Sequence, residues 1–142
     1  MKIIVTDRET IQRGLVVRSS FVVISISNPG VPRARIKKVS GLKDVLYLSF
    51  NDSDPVDGLK LPQEIRLMTE VHARAIWKFV DQHKWQVGAM VVHCHQGMSR
   101  SPAIAAAIAR YLDLDETRFW TEHQPNQFIY DLMIETMPQK EG

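Results

Sequence analysis

The sequence predicts an α/β fold: one domain over residues 1–142 with a central, mostly parallel, twisted sheet and helices on both faces. Three observations predict it. Short apolar runs rich in β-branched residues recur at 21–26, 45–50 and 86–92. Helix-patterned stretches fall between and after them, at about 63–83 and 103–109. The strand-like runs at 21–26 and 45–50 end in turn-forming residues, Asn28-Pro29-Gly30 and then the polar segment 51–58.

Length and composition set the outer bounds. The chain has 142 residues, enough for one domain with a proper core. Its 44% hydrophobic and 24% charged content is that of a globular protein. A net charge of +2 is too weak to argue for a nucleic-acid partner. The single cysteine, Cys94, excludes an internal disulfide framework and points to a reducing, cytoplasmic compartment. The apolar run at 3–5 is too short for a signal peptide, and no stretch approaches the ~18 residues of a membrane span.

Taken in order, residues 2–5 form a first strand. Asp7 caps a short helix that runs to Arg13 and stops at Gly14. The strand at 21–26 follows. Residues 31–43 carry Arg33, Arg35, Lys37, Lys38 and Lys43. Pro32 argues against a helix there, so the segment reads as a solvated loop that gives the protein a basic rim. The strand at 45–50 runs into a loop holding Asp52, Asp54, Asp57 and Gly58. The helix at 63–83 buries Ile65, Met68, Ile76, Phe79 and Val80, with His72 at the core edge and Trp77 and Trp85 packed around it. The run at 86–92 is the central strand. Residues 116–123 form a short helix with Phe119 and Trp120 inward. Asn126 caps a last helix over 127–137.

The chemistry gathers after the central strand, in His93-Cys94-His95-Gln96-Gly97-Met98-Ser99-Arg100-Ser101-Pro102. Pro102 suits the first turn of a helix, where its missing N–H costs nothing. A tight loop feeding a helix N-terminus turns successive backbone N–H groups toward one point, which suits a dianion. Gly97 lets that loop curl. Arg100 closes the ring with a bidentate fork. Cys94 would lie at the floor, and the field that attracts phosphate also favours a thiolate. A metal site is a poor reading of His93 and His95 flanking Cys94, because the trio lacks the spacing of a zinc centre.

His-Cys-x-x-Gly-x-Ser-Arg-Ser resembles the signature of the cysteine-dependent protein tyrosine phosphatases, in its compact dual-specificity branch. The resemblance implies a tyrosine/dual-specificity phosphatase-like fold over about residues 21–137 and a mechanism without cofactors. Cys94 would attack phosphorus, Arg100 would hold the phosphoryl oxygens, and His93 would orient the loop. Ser101 would assist breakdown of the phosphocysteine. Backbone N–H groups of His95, Gln96, Gly97, Met98, Ser99 and Arg100 would form the cradle. It also implies a general acid just after an upstream strand. Asp52 fits that place, with Asp54 and then Asp57 as alternatives and Gly58 as a hinge. Cys94 is late and the acid precedes it, unlike the order in low-molecular-weight tyrosine phosphatases.

The implied substrate is a phosphorylated protein, with an aryl phosphate preferred. Nucleotides, RNA 5′ ends and phosphoinositides are alternatives. His95, Gln96 and Met98 place no lysine inside the loop, which argues against a highly charged inositol headgroup. A phosphate-binding module without turnover is the competing class. Intact Cys94, Arg100 and Ser101 and the upstream acid count against it.

Overall fold

The computed structural model describes residues 1–53 and 65–139. Four strands, β1 (Lys2–Asp7), β2 (Phe21–Ser27), β3 (Leu42–Ser49) and β4 (Ala89–Cys94), pair in the order β1-β4-β2-β3. All three pairings are parallel. The helices are α1 (Arg8–Arg13), α2 (Glu70–His83), α3 (Arg100–Tyr111), α4 (Thr117–Glu122) and α5 (Gln127–Glu135). Parallel strands need long returns, and the helices supply most of them.

Alternation along β2 and β4 sorts the side chains onto two faces. Val22, Ile24, Ile26, Met90 and Val92 join one cluster with Ile76 and Val80 of α2, Ile104 and Ile108 of α3, and Ile129 and Met133 of α5. Phe21, Val23, Ala89 and Val91 face the other way, onto Ile11 of α1 and Ala34. Helices therefore cover both faces, but unequally. The second face has one short helix and the basic connection 31–41 as its roof. Within α3 every residue except Arg110 is buried. Its alanines let it lie close to the sheet while α5 packs on its outer side. Each large aliphatic side chain of this kind removed from water contributes about 1.5–3 kcal/mol.

The observed elements follow the expected order, with two corrections. The helix expected over 63–83 starts at Glu70. Residues 65–69 are not helical, because the backbone there has other partners. Asn51 N–H donates to Arg66 C=O at 2.6 Å, and Arg66 N–H donates to Asn51 Oδ1 at 2.8 Å. Thr69 N–H then donates to His72 Nδ1 at 3.0 Å, which fixes the helix start. Met68 still reaches the core, so its apolar spacing mimicked a helix that is not there. The second correction is Trp85. It is 87% exposed, with the Lys84 ammonium 5.6 Å from its ring, instead of packing on α2. Trp77 is buried and donates from Nε1 to Met133 C=O at 3.0 Å, tying α2 to α5.

Candidate active site

Because the strands are parallel, their carboxyl ends share one edge. Asp7 of β1 lies opposite Cys94 of β4, and Ser25 of β2 lies opposite His93. The connection from β4 to α3 curls over this edge. Gly97 sits at φ +70°, and a Cβ there would come within 2.9 Å of the Thr6 carbonyl oxygen. Both the backbone angle and the close approach of β1 require glycine at this position.

The curl is held from outside. Arg8 N–H donates to His95 C=O at 3.1 Å, Gln124 N–H to Met98 C=O at 3.0 Å, and Asn126 N–H to Ser99 C=O at 3.1 Å. A trans peptide is planar, with its C=O and the next N–H pointing in opposite directions. Pinning these three carbonyls outward turns the N–H groups of Gln96, Ser99 and Arg100 inward. This arrangement is a nest for an anion, placed at the start of a twelve-residue helix.

His93 is fully buried behind the loop. Its Nδ1 lies 3.3 Å from Cys94 C=O and its Nε2 lies 2.6 Å from Ser25 Oγ. A carbonyl only accepts, so Nδ1 carries the hydrogen and Nε2 accepts from the serine hydroxyl. Burial pushes the imidazole down to about 4, and the charges of Arg8 and Arg100 push the same way. A neutral ring with a defined tautomer therefore holds the Cys94 peptide in place.

Cys94 is buried at the end of β4, with Sγ 3.2 Å from Ser101 Oγ. Arg100 is 5% exposed. Its Nη1 donates to Asn28 Oδ1 and to Phe50 C=O, each at 2.7 Å. Both of these bonds use one nitrogen, so the guanidinium is anchored and, among the described residues, its Nε and Nη2 N–H groups remain to meet a planar pair of oxygens. Asp52 lies across the opening. Its Oδ1 accepts from Ser99 Oγ and from Asn126 Nδ2, each at 2.8 Å. Cys94, Arg100, Asp52, His95, Gln96, Met98 and Ser99 line one cavity of about 250 Å³, together with Asn28, Asn51 and Ser53. A larger concavity of about 690 Å³ lies beside Trp85, and neither Cys94 nor Arg100 lines it.

The structure thus brings together the side chains of Cys94, Ser101, Arg100, Asp52 and Ser99, with His93 behind the loop. It leaves the side chains of His95 and Gln96 exposed. His93 is committed to Ser25 and the Cys94 carbonyl, so the two histidines do not converge on the thiol. Among the described residues no group of three His, Cys, Asp or Glu side chains forms a metal site. Asp54, Asp57 and Gly58 lie outside the described residues. Sequence reasoning missed Ser25 and Asn28, and it took Asn126 as a helix cap alone. Asn28 stood in a turn-forming Asn-Pro-Gly triplet, which explained it without reference to an arginine 72 positions away.

No protein-family model matches the chain, and no curated protein does. Solved structures do match. The human tyrosine phosphatase-like serine/threonine/tyrosine-interacting protein aligns at TM-score 0.56 and 17% identity, over 94% of this chain and 89% of its own. Human DUSP28 aligns at TM-score 0.55 and 17% identity, over 94% of this chain and 90% of its own. PTPMT1, solved in complex with PI(5)P, aligns at TM-score 0.53 and 16% identity, over 95% of this chain and 89% of its own. The chain has the dual-specificity phosphatase-like fold. At such low identity the likeness concerns architecture, so any activity must be argued from the residues of the dual-specificity phosphatase-like edge itself.

Proposed function

We propose that this chain is a phosphomonoester hydrolase of the tyrosine/dual-specificity phosphatase type, working through a phosphocysteine. One observation carries the reading: a thiol, a guanidinium and a carboxylate line one small cavity at a helix N-terminus. In the first step the Cys94 thiolate attacks phosphorus in line with the ester oxygen. The P–S bond forms as the P–O bond breaks, and Asp52 gives its proton to the departing oxygen. Arg100 and the inward N–H groups hold the equatorial oxygens, where negative charge concentrates. In the second step Asp52 takes a proton from water as that water attacks phosphorus. The P–S bond breaks, phosphate leaves, and the Ser101 hydroxyl, 3.2 Å from Sγ, stabilises the departing thiolate. The preferred substrate in this reading is an aryl phosphate on a protein.

The test is hydrolysis of p-nitrophenyl phosphate in EDTA, wild type beside Cys94→Ser. Activity that survives the chelator and vanishes in the variant is expected. Activity unchanged in Cys94→Ser would overturn the mechanism. Absence of turnover in folded, reduced wild type would favour a phosphate-binding module. Parallel assays on phosphotyrosine peptides, phosphoserine peptides, phosphoinositides and 5′-phosphorylated RNA then rank substrate classes.

A further inference from the structure

Asp52 does more than reach the loop. One of its oxygens, Oδ1, accepts two bonds, from Ser99 Oγ and from Asn126 Nδ2. The orientation of the Asn126 amide is not a free choice. Asn126 caps α5, and its Oδ1 accepts from the Ile129 backbone N–H at 3.0 Å. A backbone N–H only donates, so the amide oxygen must face the helix and the NH2 must face Asp52. An amide NH2 also only donates. A hydrogen on Asp52 Oδ1 would take one of the two positions these donors occupy, and the hydroxyl oxygen so formed is a weaker acceptor for the other donor than the carbonyl oxygen that protonation at Oδ2 leaves. The Ser99 hydroxyl could rotate to accommodate such a hydrogen, but the amide could not.

We propose that Asn126, seconded by Ser99, is a positioning residue that directs the catalytic proton of Asp52 toward Oδ2 and sets the carboxyl over the cradle. This rests on the reading of Asp52 as the general acid. Asn126 acts on both parts at once. Its backbone N–H pins Ser99 C=O, which turns the Arg100 N–H inward, while its side chain orients the acid. Acid and cradle are thereby held in register by one residue at the start of α5. The proton then leaves from Oδ2 to the ester oxygen as the P–O bond breaks.

The experiment compares two aryl esters in the full chain, p-nitrophenyl phosphate with a good leaving group and phenyl phosphate with a poor one. The readout is the ratio of the two kcat values, with KM recorded separately. Asn126→Asp keeps an acceptor for the Ile129 N–H and removes the donor to Asp52. It should raise the ratio about tenfold with KM moving less than kcat, against about a hundredfold or more for Asp52→Asn. Ser99→Ala should raise it severalfold and Ser99→Thr, which keeps the hydroxyl, should restore it. Neither change should raise the ratio further in an Asp52→Asn background. If Asn126→Asp fails to fold, Ser99→Ala decides, since the Ser99 side chain makes no cap bond in α3. A rise in the ratio for Asp52→Asn with none for Asn126→Asp or Ser99→Ala would overturn the positioning role alone. Equal effects with and without Asp52 would do the same. No rise for Asp52→Asn, or no turnover at all, would overturn the acid reading and this inference with it.

Discussion

The neutral state of His93 has a cost that acid should expose. The unfolded chain protonates this histidine at its ordinary 6.5, whereas burial holds it near 4 in the fold. Above pH 6.5 both states are neutral and the residue does not affect the pH dependence. Between 6.5 and 4 the unfolded state binds a proton that the folded state refuses, so stability falls as pH falls. Below 4 both are protonated and the loss levels off. A gap of 2.5 units at 1.36 kcal/mol each gives a limiting loss of about 3 kcal/mol. At pH 4.5 most of it, about 2–3 kcal/mol relative to pH 7, should already be gone. The comparison is wild type against His93→Gln, which cannot titrate. Urea unfolding followed by tryptophan fluorescence at pH 7, 5.5 and 4.5 reports both, since buried Trp77 changes environment on unfolding. All other groups titrate alike in the two proteins, so the difference between the curves isolates His93. Wild type should lose stability more steeply, and the gap should close at acid pH even if His93→Gln is the weaker protein at pH 7. Parallel curves would refute the burial of a neutral imidazole behind the loop.

Three further outcomes follow from the loop. Gly97→Ala should lower stability by at least about 1–2 kcal/mol from the left-handed backbone angle alone, and the contact with Thr6 C=O should distort the cradle; thermal melting and phosphate affinity check both. Arg100→Lys keeps the charge but loses the fork and the double anchor to Asn28 and Phe50, so kcat/KM on p-nitrophenyl phosphate should fall about a hundredfold or more. Ser101→Ala should slow breakdown of the phosphocysteine more than its formation, so rapid mixing with p-nitrophenyl phosphate should show a burst of product near one equivalent of enzyme, where unchanged steady-state kinetics would argue against the serine's role.

Legibility followed locality. Asp7 and Gly14 marked α1 because a cap and a stop are local devices, and both sit where expected. The loop from Cys94 to Arg100 was readable for the same reason: its glycine, its helix start, its thiol and its guanidinium lie within seven consecutive residues. What escaped was long-range. Ser25 reaches His93 across 68 positions, and Asn126 reaches Asp52 across 74. Their residue types carry no sign of a distant partner, and each had a sufficient local explanation as strand or cap. The start of α2 was misread because Met68 buries an apolar side chain from an extended segment, which hydrophobic spacing alone cannot distinguish from a helical turn. Trp85 was misread because size and apolarity favour burial on average without dictating it at one position.

The unequal cover of the two sheet faces bears on how the site is kept rigid. An anion cradle works only if its N–H groups already point inward before the ligand arrives, since turning them at the moment of reaction would use up what they contribute. A loop of five residues between β4 and α3 has little packing of its own. Its shape is instead set by its neighbours. The first residue of α1 holds His95 from the thinly covered face, the α4–α5 connection holds Met98 and Ser99, β1 blocks any side chain at Gly97, and His93 locks the Cys94 peptide from behind. α1 is only six residues long and buries one residue, Ile11, yet it supplies the donor to His95. Its brevity is compatible with that duty because Arg8 is its first residue, where a backbone N–H has no helical partner and is free to bond outside the helix. The same reasoning explains why the Asn126 N–H serves Ser99: it too belongs to a helix start, whose orphan donors are the natural clamps for a neighbouring loop. Two helix N-termini therefore pin the His95 and Ser99 carbonyls, Gln124 of the α4–α5 connection pins that of Met98, and a third helix N-terminus, that of α3, turns its N–H groups toward the cavity.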